Sequence, residues 1–200
     1  MIRFTRPMLA ALFLVISQAA FADRVLTGNV GAISIDDNVT IPKGRSATLT
    51  GTRIDGNIKV ESGATVVLNG VRLKGDLQAK SSRSVTVRRK SSIGGNIQIE
   101  NGSVANIDGS SIGGDLQIKK NSGRVTATNN RIDGSIQIEE SRRGAYEVAS
   151  NNVRGDLQFF KNGGASRIQR NTVKGNLQAK ENSPRPVVAR NRVEGDTELG

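Results

Sequence analysis

Residues 73–79 read LKGDLQA and residues 54–60 read IDGNIKV, and the pattern that these two stretches share recurs along the chain. The pattern is an apolar residue, any residue, Gly, Asn or Asp, Ile or Leu, usually Gln (Lys59 in the first copy), and a small or apolar residue. Eight copies follow one another in steps of 19 to 21 residues, marked by Gly56, Gly75, Gly95, Gly114, Gly134, Gly155, Gly175 and Gly195. A steady period of this length is typical of a repeat architecture.

Each copy has the alternation of a β-strand with one buried face. In the copy at residues 153–160, Val153, Leu157 and Phe159 are expected to point inward, and Gln158 and Phe160 outward. A second short strand is predicted ahead of the next copy, as in TVVL at 65–68 and VTV at 85–87. Turn-forming residues such as KNSG at 120–123 separate the strands. No helical period is visible after residue 22.

A unit with strands but no helix cannot bury its own apolar face, so successive units must stack on one another. The sequence therefore predicts an all-β, single-stranded parallel β-helix (a solenoid) with eight to nine coils of ~20 residues. We expect a right-handed coil, because left-handed β-helices repeat strict hexapeptides and none are visible. We expect residues 23–50 to form an N-terminal cap and a degenerate first coil, and residues 51–200 to form the repeats.

The first 22 residues have the features of a cleavable signal peptide. Arg3 and Arg6 supply the positive charge, residues 8–16 are apolar, and the small-residue cleavage site AFA lies at 20–22. The apolar run is shorter than the ~20 residues that a membrane span needs. The sequence thus predicts an exported protein, periplasmic or extracellular, without a transmembrane segment.

The composition of the mature chain excludes several kinds of chemistry. The chain has no Cys, His or Trp, and both Met residues lie in the predicted signal peptide. Disulfides, thiolate or imidazole metal sites, Cys nucleophiles and His general bases are therefore impossible, and we expect neither a cofactor nor a metal. The formal charge is +11 for the whole chain, which leaves +9 once Arg3 and Arg6 are removed. A basic exported protein favours anionic polymers as partners.

Stacking converts equivalent positions of the repeat into columns with one residue about every 4.8 Å. One column holds Asn130, Asn151, Asn171 and Asn191, and it predicts an asparagine ladder at a turn. Three further columns are expected on the outside. The first alternates Asp with neutral residues, the second is an unbroken run of Gln from residue 78 to 178, and the third alternates Glu with Lys. Like charges on adjacent rungs repel, so stacking alone explains both alternations.

The Gly-Asn/Asp-Leu/Ile-Gln copies from about residue 51 to 200 resemble those of bacterial exported proteins with right-handed parallel β-helix repeats. The apolar alternation punctuated by Gly is also weakly similar to bactofilins, which are cytoplasmic proteins that polymerise and have somewhat shorter coils. Pectin-degrading enzymes share the same architecture. The first resemblance implies a fold, the second implies end-to-end assembly, and the third implies carboxylate chemistry on the outer face of a sheet.

The favoured function is non-catalytic binding of an anionic polymer, either an acidic polysaccharide or extracellular DNA, in the cell envelope or extracellular matrix. Basic side chains in the turns and the second strand would bind the polymer along one edge of the rod, with one aromatic contact. The candidate residues are Arg88, Arg89, Lys90, Lys120, Arg142, Arg143, Arg170, Arg190, Arg192 and Phe160.

Two alternatives remain open. The first is self-assembly into a filament or layer through the terminal coils, because an uncovered end rung is an open sheet edge. The second is a polysaccharide lyase or hydrolase. A hydrolase needs two carboxylates about 5–9.5 Å apart. The candidate pairs are Asp115 with Asp133 on the following coil, and Asp196 with Glu194 or Glu198 in the last copy.

Overall fold

The computed structural model describes residues 23–200, so the predicted signal peptide lies outside the described residues. These residues form a parallel β-solenoid of about nine coils, and none of them is helical. Each full coil contributes one strand to each of three parallel sheets. Sheet A has ten strands: Arg24–Val25, Val39–Ile41, Ile58–Val60, Leu77–Lys80, Ile97–Glu100, Leu116–Lys119, Ile136–Glu139, Leu157–Phe160, Leu177–Lys180 and Thr197–Leu199.

Sheets B and C have nine strands each. The strands of sheet B are Gly28–Val30, Ser46–Thr50, Thr65–Asn69, Ser84–Arg88, Val104–Asp108, Val125–Thr128, Tyr146–Ala149, Ser166–Gln169 and Val187–Ala189. The strands of sheet C are only two residues long: Ser34–Ile35, Arg53–Ile54, Arg72–Leu73, Ser92–Ile93, Ser111–Ile112, Arg131–Ile132, Asn152–Val153, Thr172–Val173 and Arg192–Val193. We name the corners by the sheets they join, A/B, B/C and C/A.

The apolar core fills the space between the three sheets. Each strand pairs in parallel with the equivalent strand of the next coil, so that Leu77 lies opposite Ile97 and Ile97 opposite Leu116. Leu116 and Ile118 are fully buried, whereas Gln117 between them is only half-buried. The alternation predicted from the repeat is therefore confirmed.

The repeat motif is not one strand, as expected, but two strands joined at the C/A corner. The chain leaves sheet C after the first apolar residue, turns at the Gly, and enters sheet A with the Ile or Leu. The turn needs Gly because a Cβ on Gly95 would lie 2.1 Å from Oδ1 of Asp76 in the preceding coil. A coil thus contains three strands instead of the two that the sequence predicted.

The column that alternates Asp with neutral residues lies at this corner, where it forms a ladder of hydrogen bonds. Its predicted position on the outward face of a strand is therefore wrong. The N–H of Asn96 donates to Oδ1 of Asp76 at 2.6 Å, and the N–H of Asp115 donates to Oδ1 of Asn96 at 2.8 Å. At the next rung Ser135 donates to Asp115 in the same way. The side chain supplies the acceptor that the turning main chain lacks.

The two other corners carry polar ladders as well. The predicted asparagine ladder is at the B/C corner, where the N–H of Asn130 donates to Oδ1 of Asn151 at 3.0 Å. An additional ladder at the A/B corner runs through Ser141 and Asn162, again with the side-chain oxygen as acceptor. At both corners most coils have one residue with a positive φ, such as 54° at Lys120 and 56° at Arg170, and Arg89 and Lys90 give one coil two.

Residues 23–50 continue the same solenoid. They add strands to all three sheets, and Asn38 provides the first acceptor of the C/A ladder by binding the N–H of Asn57. None of the described residues forms a helix with the length and apolar character of a membrane span.

Candidate anion-binding face

The most strongly charged surface is the outer side of sheet C together with the B/C corner, which we call the basic face. It presents eleven exposed cations and three carboxylates, Asp55, Asp133 and Glu194. The formal net charge of the basic face is therefore +8. The rest of the described chain sums to +1, and it includes nine further cations without a salt bridge on sheet B and at the A/B corner: Lys43, Arg45, Arg83, Arg88, Arg124, Arg142, Arg143, Arg167 and Arg185. The cations of the basic face are Arg53, Arg72, Lys74, Arg89, Lys90, Arg131, Arg154, Arg170, Lys174, Arg190 and Arg192.

The three-sheet coil places these side chains in columns. The outward residue of each sheet C strand pairs in register with that of the next coil, which puts Arg53 opposite Arg72 at one end and Thr172 opposite Arg192 at the other. The B/C corner adds the positive-φ residues Arg170 and Arg190 on adjacent coils. Because neighbouring strands are about 4.8 Å apart, several cations lie within one or two rungs of each other.

Most cations of the basic face have no carboxylate partner. Among the described residues, Lys74 pairs with Asp55 at 2.6 Å, and Asp133 accepts both Arg131 at 3.1 Å and Arg154 at 3.4 Å. The other cations of this face form no salt bridge within the described part of the chain: Arg53, Arg72, Arg89, Lys90, Arg170, Lys174, Arg190 and Arg192. These side chains are available to an external anion.

Sheet A has the opposite arrangement. From residue 59 onward, its outer face and the positive-φ position that follows it carry six Lys and six Glu. Each of these Lys side chains pairs with a different Glu, for example Lys119 with Glu139 at 3.1 Å and Lys120 with Glu140 at 3.9 Å. The remaining pairs are Lys59–Glu61, Lys80–Glu100, Lys161–Glu181 and Lys180–Glu198. This face is locally neutral and carries the predicted Gln column, in which Gln98 lies opposite Gln117.

The structure divides the binding residues predicted from the sequence between two edges of the rod. Arg89, Lys90, Arg170, Arg190 and Arg192 lie on the basic face. Beside it, at the end of a sheet B strand, is a sixth candidate, Arg88, whose Nε donates to Oδ1 of Asn69 at 2.7 Å.

The other candidates lie at the A/B corner, away from the basic face. Lys120, Arg142 and Arg143 line a shallow groove together with Glu140. Phe160 is half-buried in a neighbouring groove between Glu139 and Lys180, and its sequence neighbour Phe159 packs edge-on against Tyr146 in the core. The A/B candidates therefore do not form one site with those of the B/C edge.

Sequence reasoning missed six cations of the basic face: Arg53, Arg72, Lys74, Arg131, Arg154 and Lys174. They occupy the positions on either side of the apolar residue that precedes the Gly of each motif. The repeat therefore contained these cations at regular positions, but their positions indicate a common surface only once sheet C is recognised as a separate face.

The first carboxylate pair proposed for an enzyme is occupied by contacts within the rod. Oδ1 of Asp115 accepts the N–H of Ser135 at 2.8 Å, and Oδ2 accepts Nε2 of Gln117 at 3.3 Å. Asp133 is held by its two Arg partners. Neither carboxylate is presented to a substrate without competition from these contacts.

The Asp residues of the C/A corner limit the basic face on one side. Asp76, Asp115, Asp156 and Asp196 lie on alternate coils of this corner, next to the sheet C strands. The basic face is therefore a narrow strip, bounded along one long edge by a row of acids.

The terminal strands considered for self-association, such as Thr197–Leu199, are the outermost members of their sheets. Assembly through them stays a prediction. Comparison with protein-family models, with curated proteins and with solved structures finds no match to this chain.

Proposed function

We propose that this protein is an exported, non-catalytic binding protein for a linear acidic polysaccharide, which it holds along the basic face. The observation that carries the proposal is the segregation of charge. From residue 59 onward every Lys on the sheet A side is paired with its own Glu, whereas eight cations of the basic face have no carboxylate partner among the described residues. Exposed unpaired cations arranged along one strip attract a polymer that carries charges at intervals.

The shape of the strip favours a single thin chain. The strands of sheet C are only two residues long, so the strip that they form along the rod is narrow, and the Asp row of the C/A corner runs beside it. A duplex is broad enough to bring its second strand over these acids, where like charges repel. The three aromatic side chains of the described chain, Tyr146, Phe159 and Phe160, all lie off the basic face, so bases have nothing on it to stack against.

The side-chain chemistry also suits carboxylates or sulfates on a sugar chain. Eight of the eleven cations of the basic face are Arg, whose planar guanidinium can bind a carboxylate through two parallel hydrogen bonds. Each contact is weak at an exposed site, and the affinity comes from many contacts along the rod. We therefore expect binding to fall steeply as salt is added.

The test is the affinity of residues 23–200 for polygalacturonate, measured across a salt series, with duplex DNA and a neutral glucan alongside. One variant replaces Arg170, Arg190 and Arg192 by Gln, and a matched control replaces Lys59, Lys119 and Lys180 on sheet A by Gln. Both lower the net charge by three. We expect the first variant to lose affinity at least tenfold and the control to bind like the wild type.

Equal losses in both variants would show that net charge alone governs binding, and would contradict a specific face. Tighter binding to the duplex than to polygalacturonate would reassign the ligand to extracellular DNA. No binding to either polyanion at low salt would refute the proposal.

A further inference from the structure

The basic face is interrupted in the middle, and the interruption divides its cations into two clusters. The first basic cluster consists of Arg53, Arg72, Lys74, Arg89 and Lys90 with Asp55, and carries a formal +4. The second basic cluster consists of Arg154, Arg170, Lys174, Arg190 and Arg192 with Glu194, and also carries +4.

The coils between the clusters carry no net charge on this face. One of them presents Gly109, Ser111 and Gly113, and the next presents Arg131 paired with Asp133. A Cβ on Gly113 would lie 2.3 Å from the carbonyl oxygen of Gly94 in the coil before, so the backbone contact itself keeps larger residues out. We call this segment the neutral gap.

The register fixes the spacing of the two clusters. In sheet C, Arg72 pairs with Ser92, Ser92 with Ser111, and Ser111 with Arg131, and the chain of partners continues through Asn152 to Thr172. The coils of Arg72 and Thr172, near the centres of the two clusters, are thus five rungs apart. Five rungs correspond to about 24 Å, and the whole basic face from Arg53 to Arg192 spans seven rungs, or about 34 Å.

We infer that the protein is a two-site binder that selects acidic polysaccharides by length. This inference rests on the proposed function and refines it. A short oligomer occupies either cluster alone and binds weakly. An oligomer that spans the neutral gap engages both clusters, and its second contact then forms at a high effective concentration. Such linkage raises the affinity by about 10²- to 10⁴-fold without any new kind of contact.

The experiment is a length series of oligogalacturonates with extended lengths from about 10 to about 50 Å, which brackets the ~24 Å between clusters. Affinity is measured by calorimetry at one low salt concentration. We expect weak binding of the short oligomers, a rise of at least 100-fold as the length increases from about 14 Å, the three rungs between the nearest cations of the two clusters, to about 24 Å, and little change beyond about 34 Å.

Three variants test the role of each part. Lowering the charge of the first cluster from +4 to +1 (Arg72→Gln, Arg89→Gln and Lys90→Gln), or that of the second (Arg170→Gln, Arg190→Gln and Arg192→Gln), removes the rise of affinity with length. It weakens the binding of short oligomers by only about twofold, since one intact cluster remains. Ser111→Arg places a cation inside the neutral gap on the outward side of sheet C. With that variant the affinity should rise gradually with oligomer length, and the rise should begin at shorter oligomers. Melting curves establish that each variant is folded.

The outcomes separate the inference from the proposed function. A smooth rise of affinity over the whole range of lengths in the wild type, or a steep rise that persists when the charge of one cluster is lowered, overturns the two-site inference while polysaccharide binding stands. Failure of the longest oligomer to bind overturns both.

Discussion

Replacing Asn151 tests whether the side-chain ladders hold the coils together. Asn151 is 2 % exposed. Its Oδ1 accepts the N–H of Asn130 at 3.0 Å, and its Nδ2 donates to the carbonyl of Ala127 at 2.8 Å. Asn151→Ala removes both groups at once, and it leaves the N–H of Asn130 buried without a partner and the carbonyl of Ala127 without its side-chain donor.

Each orphaned buried group costs about 1–3 kcal/mol, so the variant is expected to lose about 3 kcal/mol of unfolding free energy. For a chain of this size that loss lowers Tm by roughly 6–12 °C. The matched control is Asn152→Ala, because Asn152 is the next residue and its side chain is exposed. Asn151→Ser should lie between them, since Ser91 already serves as acceptor in the same column by binding the N–H of Val71.

Thermal unfolding followed by far-ultraviolet circular dichroism ranks the three variants. Hydrogen exchange provides a local readout, because the amide of Asn130 should exchange faster in Asn151→Ala than in the wild type. If Asn151→Ala melts within about 2 °C of Asn152→Ala, a cost of 1–3 kcal/mol per orphaned group is wrong for this site and the ladder is not a major source of stability.

Three further predictions concern the corners and the core. Gly114→Ala would place a Cβ 2.3 Å from Oδ1 of Asn96 and should lose about 1–3 kcal/mol of unfolding free energy in a denaturant titration. The control Gly31→Ala has nothing within 4 Å of its Cβ and should lose none. Equal losses in the two variants would contradict the packing argument. Burial raises the pKa of Tyr146 from 10.0 to about 12, so its contribution to stability is complete below pH 10 and is lost between pH 10 and 12. The stability difference between the wild type and Tyr146→Phe should therefore shrink by about 2–3 kcal/mol over that range, and a difference that does not change with pH would be evidence against this. Asp115→Asn keeps the Oδ1 acceptor and should unfold like the wild type in the same titration. Asp115→Ala should lose about 1 kcal/mol of unfolding free energy. A larger loss in Asp115→Asn than in Asp115→Ala would mean that the charge of Asp115 matters more than its hydrogen bond to the N–H of Ser135.

The fold was predictable because its main signal is local and is repeated. Leu116 and Ile118 alternate with polar neighbours within a few residues, and a period near twenty brings the same alternation back in every coil. The number of strands per coil was not predictable in this way. The corner after Ile112 depends on Oδ1 of Asp115 meeting the N–H of Ser135, a contact between residues 20 apart that no local pattern reveals.

The candidate site was only partly predictable for a related reason. Arg170 and Arg190 stood out because they occupy a turn position, and the structure places both on the basic face. Arg53 and Arg72 belong to the same face, but each directly precedes a copy of the repeat that was predicted to be a single strand. Whether two cations share a surface depends on where the chain turns, and that is decided by contacts between coils.

The charges of the basic face are not explained by the needs of the fold. On sheet A, Lys and Glu alternate along the rod and form salt bridges. On sheet C, in contrast, Arg53 lies directly opposite Arg72. Like charges on facing positions of adjacent strands destabilise a sheet, and opposite charges stabilise it, by about 0.2–1 kcal/mol. Arg72→Glu should therefore raise Tm by about 1–3 °C and at the same time weaken polygalacturonate binding. A variant that is both less stable and unchanged in binding would refute the view that this face sacrifices stability for an anionic ligand.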